Sequence, residues 1–329
     1  MTAHQSTSTS PLEVHLTDAD LAEALRADVH AGLTAHPKQL PPKWFYDARG
    51  SELFEQITTL PEYYPTRTER EILRQGAPAI AAAATPDVLV ELGSGSSEKT
   101  RLLLDAMADT LTTYVPQDVS VSALTGAVDA LAASHPGLRV RGMVSDFTDT
   151  LHHLPAGGRR MIAFLGGTIG NMIPAERAEF LASIAAALRP GETLLLGAGL
   201  VVPPAVVVPA YDDAAGVTAE FDRNVLRVVN ARLHADFEPD AFRHVALWDA
   251  ANEWIEMRLE ATRAMRVTVA DLNLAVDFAE GEQLRTEISA KFRLDGIARE
   301  LADAGLTLVH TWTDDDHRFA VLLAERGRR

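Results

Sequence analysis

Apolar positions recur along this chain with two periods, and the switches between them mark its parts. Over 18–33, Leu21, Leu25 and Val29 fall every four residues, which predicts a helix that Thr17 or Asp18 can cap. A Pro/Lys loop over 34–43 and the run Trp44-Phe45-Tyr46-Asp47 follow, then a short helix near 51–57 and a longer one over 69–84. From Val88 short apolar runs alternate with helical patterns. Strands are predicted at 88–92, 113–116, 138–144, 161–165 and 193–197, with helices over 98–111, from 119 onward and over 174–188. Such alternation predicts an α/β fold around a parallel sheet. After Gly199 the rhythm changes. A proline-rich loop leads to a long helical pattern over 212–233, then to short alternating segments at 245–248, 254–261 and 265–269, with a hairpin turn at 249–252. A segment over 282–292, a helix over 294–304 and a closing hairpin (307–313 and 318–324) end the chain, and that hairpin should add an antiparallel edge to the sheet.

The pattern predicts two units. One is an α/β unit over 68–201 and 291–329; the other is a smaller α+β unit from 12–67 and 202–290, after a polar, disordered stretch at 1–11. Hydrophobic residues make up 47% of the 329, enough for a sizeable core. A formal charge of −16 argues against capture of nucleic acid or an anionic membrane. The uncharged run 194–210 is broken by Pro203, Pro204 and Pro209, so it does not read as a membrane span. With no cysteine and scattered histidines, neither a disulfide nor a metal site is expected, and the chain fits a monomer in a reducing cytoplasm.

Candidate chemistry centres on Val-Leu-Val-Glu-Leu-Gly-Ser-Gly-Ser-Ser-Glu-Lys-Thr, residues 88–100. This is a strand, a glycine turn and a helix start, the layout of an α/β cofactor site. Glu98 stands where a dinucleotide fingerprint has its third glycine, and where a P-loop has its second. S-adenosylmethionine carries a sulfonium cation and no phosphate, and suits Glu91 before the turn and Lys99 beyond it; Glu-Leu-Gly-Ser-Gly (91–95) resembles the first motif of class I methyltransferases. A glycine-rich turn without ligand is the alternative. Asp118, ending the second strand, is placed either to reach ribose hydroxyls or to cap the following helix. Asp146-Phe147 ends the third strand and Asn171 follows the fourth, so Gly93, Asp118, Asp146 and Asn171 converge on one rim. The adjacent Tyr63 and Tyr64, between Pro61 and Pro65, are either packed core or a ligand grip on extended backbone.

Longer stretches carry a more specific likeness: Pro37 to Asp47, Leu60 to Arg67, Glu91 to Thr100, Gly166 to Asn171, Tyr211-Asp-Asp-Ala-Ala-Gly-Val217 and Glu287 to Phe292. With these the chain, from about Thr17 onward, resembles the actinobacterial histidine-specific Nα-methyltransferases of ergothioneine biosynthesis. The resemblance implies a class I Rossmann-like sheet with a second substrate domain. It implies an S-adenosylmethionine site at Tyr46, Gly93, Lys99, Asp118, Asp146 and Phe147. It also implies an L-histidine site in which Asn171 and Tyr211 hold the carboxylate, Tyr63, Glu287 and Ser289 read the imidazole, and Met257 lines the pocket. Three successive methyl transfers to the α-amino group would give hercynine, with Tyr46 or a bound water relaying the amine proton. The aromatic face of Tyr46 or Phe54 would suit the growing cationic head. The chain departs from the family pattern at Gly167, at Gln117 and over 198–203, the last at the crossover between units.

Overall fold

The computed structural model describes residues 12–327, apart from 96, 98, 147–150 and 156 and the side chains of 122, 123 and 152. In chain order the elements are β1 (Leu12–Val14), α1 (Asp18–Thr34), α2 (Ala48–Thr59), α3 (Tyr64–Ala84), β2 (Val88–Leu92), α4 (Arg101–Ala106), β3 (Thr113–Asp118) and α5 (Val121–Ser134). Then come β4 (Arg139–Val140), β5 (Gly142–Val144), β6 (Arg160–Phe164), α6 (Pro174–Ala187), β7 (Thr193–Gly199), α7 (Pro204–Tyr211) and α8 (Val217–Leu233). The chain closes with β8 (Phe242–Asp249), β9 (Trp254–Ala261), β10 (Met265–Val269), β11 (Leu274–Phe278), β12 (Gln283–Ala290), α9 (Leu294–Asp303), β13 (Leu306–Thr313) and β14 (Phe319–Arg326).

One nine-stranded sheet runs β1-β5-β3-β2-β6-β7-β14-β13, with β4 also on β3. Its strands are parallel from β1 through β7, and β14 and β13 join antiparallel, as the closing-hairpin pattern predicts. Strand alternation divides its core. Val88, Val90 and Leu92 face one layer while Leu89 faces the other. A separate core gathers Leu25, Phe45, Tyr63, Tyr211, Phe221 and Leu259 around the three-stranded sheet β12-β9-β8.

Several expectations change. Strand β1 falls in the 12–67 segment yet pairs with β5 of the large sheet, and His15 N–H donates to Val144 O at 2.8 Å. Three residues are too few to show a period. The helix expected over 98–111 is only α4, and the third strand is split at Arg141. The proline-rich stretch is not all loop. Pro204 opens α7, where a missing N–H costs nothing. The long helix breaks at Asp213, whose carboxylate caps Val217 N (3.0 Å) and Thr218 N (2.7 Å), so α8 starts at Val217. Tyr64 is the first residue of α3 and Pro65 lies in its first turn, so the tyrosine pair is a helix entry and not extended backbone. No described helix is long and apolar enough to cross a membrane.

Candidate active site

At the strand ends, Gly93 and Gly95 adopt φ of +65° and +50°, and among the described residues a Cβ on either would meet nothing within 4 Å. The left-handed conformation accounts for the glycines. Asp118 accepts from Gly95 N–H at 3.0 Å and from Ser120 N–H at 3.0 Å, so it ties the turn and caps the segment before α5. Each carboxylate oxygen keeps a lone pair for a hydroxyl donor. Gln117, a departure from the family pattern, is buried and donates to Ser145 Oγ at 2.6 Å, joining β3 to β5 just before Asp118 and Asp146. Phe147 lies outside the described residues. The glycine turn and the adjoining acid together fit S-adenosylmethionine. Asp118→Ala should weaken S-adenosylhomocysteine binding by about 1.5–3 kcal/mol, the range for hydrogen bonds to a charged group. Titration calorimetry giving an unchanged affinity would remove Asp118 from the donor site.

The two charges flanking the turn do not stand free. Glu91 shares the face of Leu89 and is buried, accepting from Thr100 Oγ1 and from the Tyr114 hydroxyl, which also lies 2.9 Å from Ser97 Oγ. Burial pushes its carboxyl up to about 7 against those hydrogen bonds. Lys99 forms an ion pair with Glu69 of α3, which is fully buried and also accepts from Gly166 N–H at 2.7 Å. Glu69 thus fastens the turn to the loop after β6. From sequence Glu69 reads as the first acid of a helix, which concealed it. Gly167 has φ of +73° and opens the short 3-10 helix Thr168–Asn171.

In the three-stranded sheet, β12 pairs with β9 so that Glu287 lies opposite Met257 and Ser289 opposite Ile255. The ladder irregularity falls before Glu287, so Glu287 and Ser289 share a face. Met257 is buried. Burial, partly offset by the charge of Lys291 and by the Asn171 amide, pushes the Glu287 carboxyl up to about 8. Neither Lys291 nor Arg285 comes within ion-pair distance of Glu287 among the described residues; Arg285 instead donates to Gln39. Tyr211 Oη and Ser289 Oγ lie 2.8 Å apart. The rings of Tyr211, Tyr63, Phe54 and Tyr46 follow one another at 6.1, 6.3 and 5.6 Å between centroids. Phe221, which the sequence does not single out, touches Tyr46 and Phe54 at 5.5 and 5.9 Å. Tyr46 is 42% exposed, yet burial of its hydroxyl in the surrounding protein raises its pKa well above that of free tyrosine.

Between about pH 4.5 and 8 the folded chain holds a proton on Glu287 that the unfolded chain has lost, so this group makes stability fall as pH rises. Glu287→Gln should remove that slope and stabilise the protein near pH 9 by roughly 1–3 kcal/mol, discounted for its partial exposure. Denaturant melts at about pH 5 and 9 check this; equal slopes for native and variant would place the carboxyl in water.

Behind Tyr211, His244 Nδ1 lies 2.6 Å from Asp222 Oδ2 and Nε2 lies 2.8 Å from Tyr211 O. Both partners accept, so both nitrogens donate and the ring is an imidazolium. Burial opposes that charge, but the Asp222 hydrogen bond and charge raise the His244 pKa overall. Neither residue carries a sequence signal, since each looks like an ordinary helix or strand position. Among the described residues no cluster of three or more His, Cys, Asp or Glu is placed to hold a metal.

A parallel sheet with a reversed closing hairpin, and a glycine turn beside an acid at its rim, define a class I S-adenosylmethionine-dependent methyltransferase. A model of the SAM-dependent histidine-specific methyltransferases matches residues 25–326, and the chain belongs to that family. The histidine N-alpha-methyltransferase of Mycolicibacterium smegmatis is 56% identical over 320 residues, covering 97% of this chain and 100% of that protein. That of Mycobacterium tuberculosis is 52% identical over 305 residues, covering 92% and 95%. A 4-dimethylallyltryptophan N-methyltransferase of Claviceps purpurea is 26% identical, covering 89% and 92%. Among solved structures, an S-adenosylmethionine-dependent methyltransferase from Clostridium acetobutylicum covers 84% of this chain and 99% of that one, at 11% identity and a TM-score of 0.48.

Proposed function

We propose that the protein transfers methyl groups to the α-amino nitrogen of L-histidine, three times in succession, giving hercynine for ergothioneine biosynthesis. Membership of the histidine-specific family carries the substrate, and the two mycobacterial relatives named as histidine N-alpha-methyltransferases support it. The observation from geometry that supports it best is the Tyr211–Ser289 hydroxyl contact, on the same face of β12 as Glu287. Together they offer an acceptor and hydroxyls, matching an imidazole that has one N–H and one bare nitrogen. Asn171 and Tyr211 are assigned to the substrate carboxylate, and Tyr63, Glu287 and Ser289 to the imidazole, with Met257 as pocket wall.

S-adenosylmethionine supplies the methyl group from its sulfonium; Gly93, Asp118, Asp146 and Phe147 are assigned to hold it, with Lys99 acting through Glu69. The chain's own task is to align the amine with that methyl group and to exclude water, since orientation can supply about 7–11 kcal/mol of a barrier. The substrate ammonium must first lose a proton, and Tyr46 or a water beside it is the assigned relay. Its raised pKa keeps the Tyr46 hydroxyl neutral, so it relays by exchanging hydrogen bonds and not as a phenolate. The faces of Tyr46 and Phe54 suit a cationic product head. Segments 68–201 and 291–329 are assigned to the donor domain, 12–67 and 202–290 to the substrate domain. The enzyme is proposed to act as a cytoplasmic monomer, without metal, nucleic acid or membrane.

The experiment is a panel of free amino acids offered with the methyl donor, read as S-adenosylhomocysteine formed. Histidine should be turned over and tryptophan and phenylalanine should lag far behind. Equal turnover of the three would sink the assignment of the polar groups.

A further inference from the structure

Lys291 has no part in the assignments above, yet it lies at their centre. It follows β12 directly, and its backbone is fixed by Lys291 N–H to Glu253 O (2.8 Å) and Phe292 N–H to Gly199 O (2.8 Å). Its side chain is 6% exposed. The ammonium donates to Tyr211 Oη at 2.8 Å and to Ser289 Oγ at 2.7 Å, and stands 4.8 Å from the centre of the Tyr211 ring. Gly199 makes room for its stem, for a Cβ there would lie 3.3 Å from Lys291 Cδ.

An ammonium has three hydrogens and no lone pair, so each oxygen it touches keeps its own hydrogen to give elsewhere. In the Tyr211–Ser289 contact one hydroxyl hydrogen is used, leaving one hydroxyl hydrogen and one ammonium hydrogen. The cluster is therefore a donor surface carrying a positive charge. Among the described residues no carboxylate lies within ion-pair distance of that charge, and a buried cation without a close anion is costly. An anionic ligand group would supply the missing partner.

We propose that Lys291 is the positioning residue of the amino-acid carboxylate subsite: its ammonium, braced on Ser289, fixes the Tyr211 hydroxyl as a donor and supplies the positive charge against which the substrate carboxylate is held. This rests on the histidine reading and deepens it. The test uses Lys291→Met, which keeps the stem's length and removes charge and donors. Calorimetry in the presence of S-adenosylhomocysteine compares histidine with histidine amide, which lacks the carboxylate. The variant should bind histidine at least about 30-fold more weakly. Histidine amide should change less than about 3-fold between native and variant, and S-adenosylhomocysteine affinity should hold. Equal losses for histidine and its amide, or no loss for histidine, would overturn the proposal. Failure of the native protein to bind histidine would instead overturn the histidine reading. Because the chain has no cysteine, Lys291→Cys can be aminoethylated at that one sulfur, which rebuilds an ammonium at nearly the same place. Restored histidine affinity is expected if charge is what matters, and none if Lys291 serves only packing.

Discussion

Replacing Glu287 by alanine together with Met257 by valine is expected to lower the specificity constant for histidine and raise that for tryptophan. The two face each other across the β12–β9 ladder, so shortening both widens one place in the cleft. Glu287 is also the group an indole would leave without its partner, because its carboxyl holds a proton below about pH 8 and an indole has a ring N–H but no ring nitrogen to accept it. An unpaired buried polar group is what makes such sites reject analogues, by far more than one methylene of fit. Removing it should shift the histidine-to-tryptophan ratio by at least about 100-fold, since polar-site discrimination runs to about 10⁴ and apolar fit to about 10–200. Steady-state kinetics on the native and doubly substituted enzymes measure this. An unchanged ratio would return Glu287 to a structural role.

Gly197→Ala should damage the donor site without touching a ligand. A Cβ at this β7 position would lie 2.1 Å from Glu69 Oε1 and 3.3 Å from Gly166 N. Glu69 is fully buried, so it can yield only by giving up Lys99 or Gly166 N–H. Breaking a buried, hydrogen-bonded charge of this kind costs about 3–5 kcal/mol. For a chain this long that corresponds to a fall in melting temperature of about 4–7 °C. Affinity for S-adenosylhomocysteine should fall with it, because the glycine turn loses its tie to the loop after β6. A variant that melts and binds like the native protein would show that Glu69 moves freely.

Legibility in the sequence followed the physics of each element. Strands buried on both faces, such as β2 and β7, appear as apolar runs, and the closing hairpin appears as two more. Glycines with positive φ stand out because few other residues take that conformation. The site residues quoted from the family likeness came from a long match and not from periodicity. Lys291, Glu69, Asp222 and His244 stayed hidden because a buried charge looks like a surface charge until its neighbours are known. Strand β1 and the break before α8 were hidden for a different reason. Their causes are a distant edge strand and a single capping carboxylate, and neither leaves a repeating pattern.

The central claim, repeated methylation of one histidine nitrogen in this cleft, is tested most directly by mass spectrometry of a time course with histidine and excess S-adenosylmethionine. Mono- and dimethylhistidine should rise and decline while a trimethylated product accumulates, with every added methyl group on the α-nitrogen in the fragment ions. A reaction that stops at monomethylhistidine, or that places methyl on the imidazole, would contradict the account.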